Sequence, residues 1–261
     1  MLNFEFAVQE LWSFIVVLVR TAAILSAMPL LGSGNVPLRI KVTMAAGIAI
    51  LLTPVVSLHF EPNWLQPFTL LMGLIAEVFV GITLGLGTRL LMAAVELAGQ
   101  IMGFQVGFGF AQAVDPATQL QTPVFGQLLT VFATLLYFQV NGHHLILLAL
   151  GSSFKLIPPF GASLHAPLLA DITQLIQEMM HTGLQLALPV IAVTFVIHLT
   201  MGILGRLVPQ MNVLVTSFPI TISMGLLVLG FGLPLMAMIF QESIMGLEAI
   251  VWDILRELGR G

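Results

Sequence analysis

Cysteine is absent from the 261 residues, which excludes disulfides and thiolate metal sites. Charge is almost as scarce: Asp, Glu, Lys and Arg make up 8% of the chain, against about a quarter of a soluble domain. None of the four occurs between Pro116 and Phe154, and none from Leu207 to Gln241. Eight basic residues, unclustered, with a net charge of −4, offer no electrostatic footprint for nucleic acid. Catalytic patterns are missing as well. The six histidines contain no H-x-x-x-H or H-E-x-x-H spacing, no G-x-x-x-x-G-K-[ST] loop is present to cradle a nucleotide, and no G-x-S-x-G elbow carries a serine nucleophile. These absences argue against an enzyme, a resident metal and a cofactor.

What remains is apolar. Hydrophobic residues account for 58% of the chain and the mean hydropathy is +1.07. The charge-free runs need lipid or other apolar protein around them, so the chain reads as an all-α polytopic membrane protein. Six hydrophobic spans are expected, at Leu11–Leu31, Val42–Leu58, Leu65–Leu91, Val124–Leu150, Leu184–Leu204 and Val213–Ile239. Each approaches the ~20 residues that cross a bilayer core. Alternating segments that would favour strands do not occur. With Glu5 and Glu10 ahead of it in place of a basic region, the first span reads as retained rather than as a signal peptide. Pro29, Pro54, Pro189, Pro219 and Pro234 interrupt or border four of the six spans, and such breaks survive in lipid only where protein or water satisfies the freed carbonyls.

Two segments are amphipathic. Leu168, Ile172, Leu175, Ile176 and Met179 recur at helical spacing with Asp171, Gln174, Gln177 and Glu178 opposite. Ile244, Leu247, Val251, Ile254 and Leu258 do the same near the C-terminus, with Glu248, Asp253, Arg256 and Glu257 around the rest. Each either lies on the bilayer surface or prolongs its neighbouring helix.

Residues 77–107 hold the densest pattern. At about 100° per residue, Glu77, Gly81, Gly85, Arg89, Glu96, Gly99, Gly103 and Gly107 share a sector of roughly 120°, with Gly87 outside it. Small-xxx-small spacing lets another helix approach closely, and ionisable groups inside a membrane should face protein or a water-filled cavity. The stripe is either a packing seam in which Arg89 and Glu96 neutralise each other, or the lining of a conduit. In the segment that follows, Gly107, Gly109, Pro116 and Pro123 break the helix, Phe108 and Phe110 alternate with small residues, and Asp115-Pro116 signals a turn. It reads as a plug or as an ordinary connection. A stand-alone transporter using Glu77, Arg89 and Glu96 as a midplane site is the main rival reading of these charges.

Five segments in this order resemble a known family: "RTAAILSAMPLLGSGNVPLRIKV" at 20–42, "GQIMGFQVGFGFAQAVDP" at 99–116, "NGHHLILLAL" at 141–150, "LALP" at 186–189 and "LGRLVPQMNVLVTSFPITISMG" at 204–225. The chain resembles, nearly end to end, the FliR and injectisome T-subunit family of type III secretion export gates. Its Asp115-Pro116 turn is similar to the flagellar branch, whereas Gln100 stands where flagellar relatives often carry Glu. The resemblance implies about six long, proline-broken helices packed as hairpins within a hetero-oligomeric export gate. Residues 1–155 would mimic the P-type subunit and carry the plug loop, and residues 156–261 would mimic the Q-type hairpin. It further implies P-type and Q-type subunits and the B-type switch protein as partners, export substrates in transit, membrane lipid around the whole, and a multi-pass place in the bacterial inner membrane at the flagellar basal body. The plug would fall on Phe108–Gln121, with the seal at Gly107, Phe108, Gly109 and Phe110.

Overall fold

The computed structural model describes residues 2–29, 31–32, 36–56, 66–107, 124–161 and 166–259. Among these the regular structure is entirely helical: α1 Leu2–Ala27, α2 Leu38–Leu52, α3 Pro67–Val106, α4 Val124–Gln139, α5 Gly142–Leu156, α6 Ala166–Leu207 and α7 Val213–Leu258. Among the described residues seven helices therefore stand where six spans are expected. Four of them, α1, α3, α6 and α7, are long and apolar enough to cross a membrane, and a fifth span results if the bent pair α4 and α5 is counted as one.

Local chemistry explains the differences. The second expected span becomes the 15 residues of α2, which begins four residues ahead of Val42, after the extended backbone of Pro37, and ends at Leu52, ahead of Pro54. At 1.5 Å per residue such a helix reaches about 22 Å, short of a hydrocarbon core of ~30 Å. The fourth expected span divides at Asn141, whose left-handed backbone (φ 59°, ψ 28°) ends the run of α4 and opens α5. Asn is among the few residues that visit this region readily.

Prolines act less drastically than the pattern implies. Pro189 lies inside α6, and Pro219 and Pro234 lie inside α7, without ending either helix. Helices α3, α6 and α7 consequently run to 40, 42 and 46 residues. That is about 60 Å or more of helix, twice what a bilayer core requires. Both amphipathic segments prolong these helices rather than forming separate elements. The C-terminal stripe is buried within the chain at Leu247, Val251, Ile254 and Leu258 together with Leu255, whereas in the other segment Leu175 is buried and Ile176 exposed.

The chain forms two compact units. One comprises Met1–Leu90, Asn141–Ile176 and Met245–Gly261; the other comprises Leu91–Val140 and Gln177–Ile244. In the first, α2 packs against α1 and buries only Ala45 and Ala49, leaving Leu38, Val42, Ile50 and Leu51 exposed. Its core includes Val16, Val17 and Ile24 of α1 with Val80 and Leu84 of α3. In the second, Ala94, Val95, Ala98 and Met102 of α3, Leu129 and Ala133 of α4, Leu186, Ala187 and Val190 of α6, and Leu229, Met236 and Phe240 of α7 are buried.

Candidate functional site

An isolated arginine in an apolar helix must find an anion or several acceptors, because an unpaired charge away from water is expensive. Arg20, in the C-terminal third of α1, is 0% exposed, and Glu77 of α3 is 1% exposed. Arg20 Nε donates to Glu77 Oε2 at 2.5 Å, Nη1 donates to Ser153 Oγ at 3.2 Å, and Nη1 and Nη2 reach the carbonyl of Ile157 at 3.3 and 3.4 Å. The guanidinium carbon stands 4.3 Å from the ring centre of Phe154, a cation–π distance. The second carboxylate oxygen, Glu77 Oε1, accepts the backbone N–H of Phe160 at 3.0 Å. Three helices and one turn of the first unit thus meet on a single ion pair.

The same faces bring α1 and α3 together through small residues. A methyl group added at Gly81 would strike Ala23 Cβ and come within 2.9 Å of the Arg20 carbonyl; at Gly85 it would strike Ala27 Cβ. Gly81 and Gly85 therefore face Ala23 and Ala27, a small-xxx-small spacing on both helices that sets Arg20 within reach of Glu77. In the second unit, a methyl at Gly99 would strike the Gly126 backbone of α4 and come within 3.2 Å of the Phe125 carbonyl carbon. A methyl at Gly183 of α6 would approach the Ala94 carbonyl to 2.9 Å. Gly103 is buried.

Arg89 and Glu96 depart from the stripe. Both are exposed, and neither belongs to an ion pair among the described residues. The helical wheel gives the reason. With Glu77 set at zero and about 100° per residue, the buried Leu84, Thr88, Val95, Met102 and Val106 all lie within about 20° of it. Gly81 and Gly99 fall near 40° and Gly85 and Gly103 near 80°, but Glu96 and Arg89 fall near 100° and 120°, beside the exposed Val78 and Ile82. The buried face centres on Glu77, at one edge of the expected sector, so the far edge emerges. Gly87, outside that sector, is nonetheless buried, where an added methyl would strike Leu247 Cδ1.

Gly107 ends α3. Its φ of +105° is one that residues with a Cβ avoid, and its N–H bonds the Phe104 carbonyl at 3.1 Å. The Val106 carbonyl accepts the Thr221 hydroxyl of α7 at 3.1 Å, and Gly107 abuts the Phe218 ring. Phe108, Gly109, Phe110, Asp115 and Pro116 lie outside the described residues, as does the rest of the expected plug through Gln121.

The family profile described as bacterial export proteins, family 1, matches residues 11–247. The chain belongs to this family of bacterial export proteins. Among its relatives, the flagellar biosynthetic protein FliR of Escherichia coli (strain K12) is 31% identical over 241 residues, covering 92% of each chain. The FliR of Bacillus subtilis (strain 168) is 32% identical over 229 residues, covering 83% of this chain and 84% of its own. That of Pectobacterium carotovorum subsp. carotovorum is 30% identical over 250 residues, with 96% and 94% covered. The polar cluster around Arg20 lies inside the matched region, yet the pattern along residues 77–107 does not point to it. The available signal was the principle already applied to Glu77: a lone cation within an apolar span needs a partner.

Proposed function

We propose that this export protein is a subunit of the flagellar type III export gate, where it helps form the conduit through which unfolded flagellar proteins cross the bacterial inner membrane. The observation that carries this reading is the near full-length match to proteins named flagellar biosynthetic protein, 92% of both chains in the Escherichia coli case. Two features of the fold support it. The long helices exceed a bilayer's thickness, and α6 and α7 leave Leu188, Phe195, Val196, Phe231, Leu235 and Met238 exposed in their middles. An apolar surface of that extent calls for lipid or for neighbouring subunits.

In this reading P-type and Q-type subunits and the B-type switch protein cover those faces, with residues 1–155 taking a P-like place and residues 156–261 a Q-like one. Arg89 and Glu96, exposed within the chain, meet partner subunits instead of lipid, which would penalise them by ~2.5–3.5 kcal/mol for a charge such as Arg at the bilayer centre. Residues 108–121 plug the conduit, and the left-handed turn at Gly107 supplies the exit from α3 that such a loop needs. The test is deletion of the gene from its host. Secretion of flagellar subunits into the medium and swimming should both cease and return on complementation; a deletion strain that still secretes them would overturn the proposal.

A further inference from the structure

The turn after α5 reads Ile157-Pro158-Pro159-Phe160-Gly161, and its two prolines have no N–H to donate. Three backbone donors remain. Ile157 N–H returns to the Ser153 carbonyl at 2.8 Å and Gly161 N–H to the Pro158 carbonyl at 2.9 Å, both within the chain's own local fold. Phe160 N–H instead goes to Glu77, 83 residues away. On the acceptor side, the Ile157 carbonyl takes both terminal nitrogens of Arg20. The ion pair thus holds the turn by one carbonyl and one N–H, three residues apart.

That grip coincides with an unfavourable backbone. Phe160 has φ +63°, a region that bulky residues with a Cβ rarely enter unless their surroundings impose it. Its ring is seated on Gly73 of α3, where an added methyl would run into the ring itself. The carboxylate on the N–H and the glycine under the ring both come from α3, one helical turn apart, so α3 dictates the conformation of this residue from two sides.

We propose that Arg20 and Glu77 form a backbone latch on the Ile157–Gly161 turn, acting through directed hydrogen bonds rather than through neutralisation of charge. This role is independent of what the assembled protein conducts. Neutralisation needs only opposite signs at positions 20 and 77. A latch needs a forked donor on α1 for the Ile157 carbonyl and a second acceptor oxygen on α3 for the Phe160 N–H.

The absence of native cysteine makes the test direct. Ile157→Cys keeps the backbone carbonyl and places a thiol at a position that is 0% exposed. Reaction of that thiol with a maleimide, in membranes of the native host, is measured in the otherwise unaltered chain, in Arg20→Lys, and in the exchange Arg20→Glu with Glu77→Arg. Both variants preserve opposite charges; the exchange loses both latch bonds, whereas Arg20→Lys loses only the forked donor to the Ile157 carbonyl, so labelling should accelerate roughly tenfold or more in the exchange, and less in Arg20→Lys, as the turn opens locally. Labelling of the exchanged pair at the parental rate would overturn the latch. Hydrogen exchange on the unaltered chain covers the case in which the variants fail to accumulate. Phe160 N–H should be protected to the degree of amides within α5, and exchange at the rate of an open turn would overturn the proposal.

Discussion

At the scale of residues, glycines that admit no Cβ decide how closely helices approach. Gly81 and Gly85 meet Ala23, Ala27 and the Arg20 carbonyl, and the Arg20–Glu77 pair depends on that closeness. Gly81→Leu or Gly85→Leu should therefore be destabilising by at least the ~1–3 kcal/mol typical of overpacking. It should also break the ion pair, because no flexible side chain is there to yield. Gly202→Leu is the appropriate control, since nothing lies within 4 Å of a methyl added there. Gly87 is a poor one, because it is buried against Leu247. The measurement is thermal stability of the protein extracted in detergent; equal loss at Gly81 and Gly202 would refute the packing argument. The glycine spacing could be read in the chain itself, since it repeats at intervals of four. The partner of Glu77 could not, because Arg20 lies 57 residues away and spacing along one helix carries no information about another.

At the scale of elements, helix ends are set by backbone chemistry and helix lengths by what surrounds them. Pro37, Pro54, Asn141 and Gly107 each mark a terminus through a restricted or left-handed backbone. Pro189, Pro219 and Pro234 do not, and the helices that contain them run on into the amphipathic segments. Beyond Gly107 the proposed plug makes its own prediction. Aromatic rings seal a narrow apolar passage by filling it and keeping it dry. Trimming Phe108 and Phe110 to Ala should then raise ion leakage across membranes of cells making the protein, with its abundance unchanged. Unchanged leakage at equal abundance would return residues 108–121 to the role of a plain connection.

At the scale of the whole molecule, the exposed apolar residues outnumber what a solitary chain can leave uncovered. Among them are Leu38, Leu51, Phe68, Leu207 and Phe231, each more than 70% exposed. Lipid can cover apolar side chains but not Arg89 and Glu96, which are exposed on α3. Expressed by itself, the chain should be aggregated or readily cut by protease, and co-expression with P-type and Q-type subunits should render it resistant. A monodisperse, protease-resistant monomer in detergent would contradict this. The sequence by itself determined the class of this protein, since charge-free runs of more than thirty residues admit no aqueous surroundings, and it determined the family through motifs spread over nearly the whole chain. It also determined which face of α3 carries the glycines, because helical periodicity is a local property. Only the tertiary structure decided that this face centres on Glu77, that Arg89 and Glu96 fall outside it, and that Arg20 and the turn at Phe160 close around the carboxylate. Those choices depend on which distant segments share the space beside α3, and composition and periodicity do not encode that pairing.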